Sequence, residues 1–387
     1  MQRTFKYKIY PNVKQREALL KSFDFCRFLY NSALEERINS YKSTKSSKSY
    51  AAQTSYLPEI KEMFPLETSP IYSQTLQQTL KQVDTAYKNF FRRVKEKASK
   101  AGFPRYKNKD RFRSILFPQV KPDLLKGCVK LSNNHLKIYG IDTPIKIRYH
   151  RPFEGIAKQC RILKQGDNFY LCISCDNVPN RKLPKTGKEV AIDLGLDSFI
   201  TLDDGTKFHH PKPYNTSLEK LRCRQRKLSL KVKGSNNREN QKKLVVKTHE
   251  KITNQRDDYQ HKLANELVRK YDKIIIEKLN VKSMLEAKGF EVSKRNIQDA
   301  SWRKFVEKLT YKAESADKLI VKVNPRNTSK MCSGCGKIKK ELSLRDREYH
   351  CESCGLAIDR DLNAAKNIKV LGTSTAISYM ISEATRL

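Results

Sequence analysis

The chain has 387 residues, enough for two or three domains, because single cores stop growing at roughly 250 to 300 residues. Lysine and arginine number 79 against 41 acids, a formal net charge of +38 spread through both halves of the sequence. A surface this basic repels itself unless a polyanion lies against it, which points to nucleic acid and, with no long apolar run, away from membranes.

FKYKIY opens as a short strand that Pro11 and Asn12 end. No apolar h-region precedes it, so the protein is expected to be cytoplasmic and not secreted, in a reducing compartment where its ten cysteines do not form a disulfide framework. Asn12 and Gln15 make a capping box, and Leu19, Phe23, Cys26, Tyr30 and Ala33, at steps of four and three, draw the buried face of a helix. Residues 42–50, KSTKSSKSY, read as a polar loop. A second helix is predicted over 73–97, packed through Leu76, Leu80, Val83, Tyr87, Phe90 and Val94. Lys81, Lys88, Arg92 and Lys95 form a separate basic stripe suited to phosphates, although an ordinary solvated helix shows the same pattern.

The stretch AGFPRYKNKDRFRSILFPQ interleaves Phe103, Tyr106, Phe112 and Phe117 with Arg105, Lys107, Lys109, Arg111 and Arg113. Aromatics that stack on bases and cations that hold the backbone suit nucleic acid, with about half of these rings expected in the core. Short alternating runs from 112 to 182 read as a small antiparallel sheet or barrel. Within them Cys172 and Cys175 fall on opposite faces of a strand and are expected in the sheet, not at a metal. Beyond a linker at 182–188 come strands at VAIDLG and FITLDDG, two charged helices between 216 and 271, and a strand KIIIE. A helix with Trp302 and Phe305, a strand LIVKV, a cysteine cluster and a last helix complete an α/β layout.

Cys332-Ser-Gly-Cys335 and Cys351-Glu-Ser-Cys354, fifteen residues apart, have the spacing of a zinc ribbon. Gly334 or Gly336, and Gly355, allow each pair to chelate from a tight turn. Four thiolates close a tetrahedron with no open position, so this zinc is expected to be structural.

Three carboxylates stand out against this background. Asp193 lies in the apolar run VAIDLG, Glu277 follows three isoleucines, and Asp361 begins the helix after the cysteines. Singly, each has an ordinary explanation: a turn cap, a strand end in solvent, an acid at a helix N-terminus. Together, in a strongly basic α/β chain, they suit two divalent ions about 4 Å apart acting on a phosphodiester, with oxygen ligands favouring Mg²⁺ or Mn²⁺. Asp359 competes with Asp361, but at i and i+2 the two do not face one site.

These pieces resemble the TnpB family of transposon-associated RNA-guided nucleases, related to type V CRISPR effectors. The matching segments are IYPNVKQ, AYKNFFRRVKEKASKAGFPRYKNK, VAIDLG, IIIEKLN, LTYKAE, NPRNTSKMCSGCG and CESCGLAIDRDLNAAKNI, in the family's order along nearly the whole chain. The resemblance implies a multidomain α+β protein: a small wedge β-barrel with an inserted helical recognition bundle, then a RuvC-type, ribonuclease H-like domain carrying a four-cysteine zinc ribbon. Its implied divisions are a first wedge strand at 1–10, a recognition domain at 11–110, the wedge barrel at 111–183 and the nuclease domain at 184–330. A zinc-bearing target-loading element at 331–356 and the last helix and tail at 357–387 complete them. It implies Asp193, Glu277 and Asp361 as catalytic acids, the family's D-x-N-A-A pattern selecting Asp361 over Asp359. It also implies a guide RNA, a double-stranded DNA target beside a short motif, and cutting of both strands at one site; a monomer is expected. The rivals are a guide-independent nuclease or transposase of the same fold, and a zinc-containing regulator without catalysis.

Overall fold

The computed structural model describes residues 1–98, 100–124, 127–280, 284, 291–343 and 346–384, and the side chains of all but 291–293 and 374–384. The chain divides into two compact units, Met1–Pro179 and Asn180–Leu387. No described helix is long and apolar enough to cross a membrane.

The first unit starts with β1 (Arg3–Tyr10), whose alternation buries Phe5, Tyr7 and Ile9. Fully burying side chains of this size stabilises by about 1.5–3 kcal/mol each. Helix α1 (Val13–Thr44) follows the capping box: Gln15 N–H donates to Asn12 Oδ1, and the Asn12 N–H to Gln15 Oε1, both at 2.9 Å. Its expected face, Leu19, Phe23, Cys26, Tyr30 and Ala33, is buried. The polar loop is shorter than predicted. Helix α1 runs through Thr44, and three short helices follow, α2 (Tyr50–Ser55), α3 (Leu57–Met63) and α4 (Pro65–Thr68). The reason lies inside the bundle: the buried Arg37 needs acceptors, and the turn returns Gln53 of α2 to it (Nε to Oε1, 2.7 Å) while Asp84 lies 3.6 Å from its other side. Asp84 belongs to α5 (Ser73–Lys95), which buries Leu76, Leu80 and Val83.

Six strands complete the unit: β2 (Ser114–Phe117), β3 (Val129–Ser132), β4 (His135–Ile138), β5 (Ile145–Ile147), β6 (Ile156–Gln165) and β7 (Asn168–Asp176). They pair antiparallel with β1 in the order β2-β6-β7-β1-β5-β4-β3. Thus β1 joins a sheet whose other strands come from residues more than a hundred positions later. Its two edges, β2 and β3, do not pair with each other among the described residues.

In the second unit β8 (Glu189–Asp193), β9 (Ile200–Leu202), β10 (Lys207–Phe208), β11 (Lys273–Glu277) and β12 (Leu319–Val323) form a sheet in the order β10-β9-β8-β11-β12. Strands β8, β11 and β12 are parallel. Parallel strands need long crossovers, and the helices supply them: α6 (Pro213–Ser229), α7 (Asn236–Lys270), α8 (Glu291–Ala300) and α9 (Trp302–Ala316). The residues predicted as a linker are strapped to this unit instead. Leu183 N–H donates to Ala316 O at 3.1 Å, and the Thr186 and Gly187 N–H groups both donate to Asp272 Oδ2 at 2.7 Å. The other Asp272 oxygen pairs with the buried Lys318, and these bonds pull its carboxyl down to about 2.

Alternation divides the sheet's faces. Val190, Ile192, Ile274 and Ile276 face Leu263, Leu267, Phe305 and Leu309, whereas Ala191, Ile275 and Val323 face Ile368 of the last helix, α10 (Arg360–Ala384). Between β12 and α10 lie the cysteine pairs and the hairpin β13 (Glu348–His350) and β14 (Ala357–Asp359).

Candidate metal centres and nucleic-acid surface

Asp193 shares the parity of Ala191, and Glu277 that of Ile275, so both acids emerge on the face that α10 covers. Ile192 pairs with Ile276, and the next step along these parallel strands brings Asp193 beside Glu277. Adjacent strands stand about 4.8 Å apart. Asp361, in the first turn of α10, joins them: a Cβ built on Gly195, two residues after Asp193, would stand 3.7 Å from Asp361 Oδ2. All three thus meet beyond the carboxyl ends of parallel strands, where open α/β sheets bind ligands.

Burial, reinforced by the charges of Glu277 and Asp361, pushes the Asp193 carboxyl well above the usual carboxylate range. Burial also raises Glu277, against a hydrogen bond from the Thr328 hydroxyl that holds it down. Asp361 is raised by burial and by the neighbouring Asp359 charge. Three acids that disfavour their own charge at one place are surroundings that a divalent cation would stabilise, and an all-oxygen donor set suits Mg²⁺ or Mn²⁺. Asp359 is occupied elsewhere. Its Oδ1 accepts from the backbone N–H groups of Asp361 and Leu362 at 3.1 and 3.0 Å, and its Oδ2 from Lys207 Nζ at 2.7 Å. It caps the helix that Asp361 uses. A cavity of about 400 Å³ opens beside Glu277, walled by Leu194, Trp302, Val306, Lys278 and Lys322.

Cys332, Cys335, Cys351 and Cys354 place all four Sγ atoms within 4.8 Å of one another, with Cys332–Cys354 and Cys335–Cys351 at 3.6 Å. Four sulfurs about 2.3 Å from one zinc would stand about 3.8 Å apart, so these residues could hold it. The two pairs share a turn: Gly336 N–H donates to Cys332 O at 2.9 Å, and Gly355 N–H to Cys351 O at 3.0 Å. Gly336 and Gly355 have φ of 76° and 74°, which selects Gly336 over Gly334 as the turn glycine. Among the described residues no other set of cysteine, histidine or carboxylate ligands draws its atoms together this tightly, the three acids included: Glu277 and Asp361 are near enough for their charges to act on Asp193, but the carboxylate oxygens are not gathered as the four sulfurs are. Cys175 is buried in the sheet and Cys172 half-buried on its other face, as their spacing predicts.

Comparisons with known proteins cover the segments that carry both sets of residues. A family model described as "Probable transposase" matches residues 171–288, which contain Asp193 and Glu277, and one described as "Cas12f1-like, TNB domain" matches 302–368, which contain the four cysteines and Asp361. A third, "Helix-turn-helix domain", matches 1–46, where the chain forms one strand and one long helix. A Streptomyces pristinaespiralis protein named "Putative RNA-guided DNA endonuclease" is 32% identical over 97% of this chain and 90% of its own length. "Putative RNA-guided DNA endonuclease InsQ" of Escherichia coli is 30% identical over 95% of this chain and 92% of its own length. The chain belongs to the TnpB family. Its fold is similar to that of the protein in a solved Cas12f1-sgRNA-target DNA complex, with a TM-score of 0.54 at 15% identity, covering 92% of this chain and 83% of that one.

In this TnpB-family chain the expected nucleic-acid residues divide. Lys81, Lys88, Arg92 and Lys95 are all exposed on α5, and Arg105, Tyr106 and Arg111 are exposed on the segment that follows. Val94, expected in the packed stripe, is exposed beside them, because the apolar contact of α5 ends in a partly open ring cluster of Tyr87, Phe90, Phe91 and Phe103. Phe112 and Phe117 are core. Lys107 departs from the expectation: its ammonium turns inward over the Tyr30 ring at 3.8 Å and donates to Gln82 Oε1 at 3.0 Å, and desolvation lowers it to about 8. Its aromatic neighbours made it read as part of the surface.

Sequence reasoning missed Thr328, Asn363 and Asn367, all buried around the acids and the cysteines. Asn363 and Asn367 lie one turn apart in a helix and flank two alanines; asparagine in a helix interior is unfavourable unless its amide is needed elsewhere, and that was the available signal.

Proposed function

We propose that this chain is an RNA-guided endonuclease that cuts double-stranded DNA at a single site formed by Asp193, Glu277 and Asp361. The observation that carries the reading is the convergence of these acids on one face, at the carboxyl ends of β8 and β11 and the start of α10. The names of the relatives and the net charge of +38 supply the substrate class. In this reading the acids hold two Mg²⁺ or Mn²⁺ ions, which when bound activate water and stabilise the leaving oxygen of a phosphodiester. The chain's own part is to fix the carboxylates on rigid strand and helix ends and to shield them from bulk water. The exposed cations of α5 grip the nucleic-acid backbone, and base pairing with the guide supplies sequence specificity. We assign the first unit to the family's wedge and recognition half, the second to its RuvC-type, ribonuclease H-like domain, and the four cysteines to a structural zinc.

The test is cleavage of duplex DNA in Mg²⁺ by protein purified with its RNA. Cutting should follow the sequence of that RNA, stop when the RNA is removed, and vanish in Asp193→Ala. Cutting that survives complete removal of RNA would make the chain a guide-independent nuclease, and unchanged cutting by Asp193→Ala would refute the site.

A further inference from the structure

Thr328 lies in the turn between β12 and the first cysteine pair and is 2% exposed. Its hydroxyl is within hydrogen-bond distance of Glu277 Oε1 and 3.1 Å from Pro325 O. A hydroxyl has one proton, and a carboxylate is the stronger acceptor, so the proton goes to Glu277. That bond ties Oε1 to the turn and limits how the carboxyl plane can rotate, while the carboxylate keeps lone pairs to offer a cation.

The turn is itself held from the last helix. Asn367 Nδ2 donates to Thr328 O at 2.8 Å and to Met331 O at 2.6 Å. One turn earlier, Asn363 Nδ2 donates to the same Met331 O at 2.7 Å, and its Oδ1 accepts from Ser333 N–H at 2.9 Å. Met331 and Ser333 flank Cys332, so the bonds run without a gap from the cysteine cluster through the two asparagines and Thr328 to Glu277. A buried amide is costly unless bonded, and the bonds these two make here all lie along this connection.

Resting on the reading of Glu277 as a cation ligand, we propose that Thr328 and Asn367 are positioning residues that couple the cysteine cluster to the carboxylate site, so that an ordered cluster raises the affinity of the acids for a divalent cation. Partners of this kind, one shell out from a metal ligand, typically carry 10- to 100-fold in metal affinity.

The experiment is Mn²⁺ titration of the full-length, zinc-loaded, RNA-free protein by electron paramagnetic resonance, with Asp193→Ala setting the background. Thr328→Val should weaken specific Mn²⁺ binding by roughly 10- to 100-fold with zinc content and circular dichroism unchanged, and Thr328→Ser should restore it. Asn367→Ala should weaken it by a smaller factor, and adding Asn367→Ala to Thr328→Val should cost nothing more, because both act through one path. Cys351→Ser should lower Mn²⁺ affinity in the otherwise native chain but not in the Thr328→Val background. Native affinity in Thr328→Val, or additive losses, would overturn the coupling; should Thr328→Val fail to fold, native affinity in Asn367→Ala would do the same. Native protein that binds no more Mn²⁺ than Asp193→Ala would instead refute the cation site itself.

Discussion

Gly372→Ala tests how closely the last helix must lie on the sheet. A Cβ at Gly372 would stand 2.3 Å from Ile275 Cγ2 and 2.8 and 2.9 Å from its Cδ1 and Cγ1, all inside the 3.0 Å that real Cβ atoms keep. Ile275 is fully buried, branched at Cβ and wedged between two strands, so it cannot swing aside. Replacing a helical glycine by alanine would by itself gain about 1 kcal/mol, whereas overpacking a core costs about 1–3 kcal/mol, leaving a net loss of about 1 kcal/mol. On the proposed site the functional effect should be larger. Helix and strand must part by about 1 Å, and they carry Asp361 and Glu277; a misplacement of that size costs about a hundredfold in rate. Thermal unfolding and cleavage of a guide-matched duplex in Mg²⁺ read the two effects together. A variant that melts higher than the native chain and cuts at the native rate would refute the packing argument. Ile275→Ala in the same chain should recover part of the lost cleavage by reopening the space.

Four further outcomes are expected. Asp193→Asn removes a charge that burial and two neighbouring acids disfavour, so the variant should unfold at a higher temperature than the native chain without divalent ions, and Mg²⁺ should stabilise only the native chain; equal Mg²⁺ responses would contradict the site. Cys351→Ser should release zinc, measured by elemental analysis, and lower the melting temperature of the second unit, while a variant that keeps one zinc per chain would exclude the tetrahedral assignment. Asp272 has its carboxyl held at about 2, below the ordinary value near 4 of an unfolded chain, so its contribution is complete above about pH 4 and is lost as the pH falls towards 2. The melting-temperature gap between native and Asp272→Asn protein should therefore be widest near neutrality and close over that window; a gap independent of pH would count against the clamp. Arg92→Ala should weaken nucleic-acid binding at every sequence and reduce the salt slope by about 1, whereas Lys107→Met should leave that slope alone, because its ammonium is turned over Tyr30; a changed slope for Lys107→Met would place it back on the surface.

Much of this was legible because local chemistry and tertiary demand agree. The capping box at Asn12, the four-step stripe from Leu19 to Ala33 and the two cysteine pairs are each specified by residues near one another in sequence. The acids were legible as anomalies, carboxylates at the ends of apolar strands, but only the parallel register and the parity of Ala191 and Ile275 bring two of them together. What could not be read depends on distant partners. The length of α1 is set by Arg37 and its acceptors Gln53 and Asp84. Lys107 points inward because Tyr30 and Gln82 wait there. Asp359 and Asp361 are told apart by Lys207 and the helix's own N–H groups, which claim the first.

The order in which the acids occur along the chain has a consequence for biosynthesis. Asp193 and Glu277 lie on strands that are made early in the second unit, but the third acid sits on α10, after the cysteine cluster. On the proposed assignment, a polypeptide still emerging from the ribosome, or cut short by a premature stop before residue 361, already carries the basic helix α5 yet lacks a complete cutting centre. On that assignment, translation of α10 would be the step that completes the cutting centre.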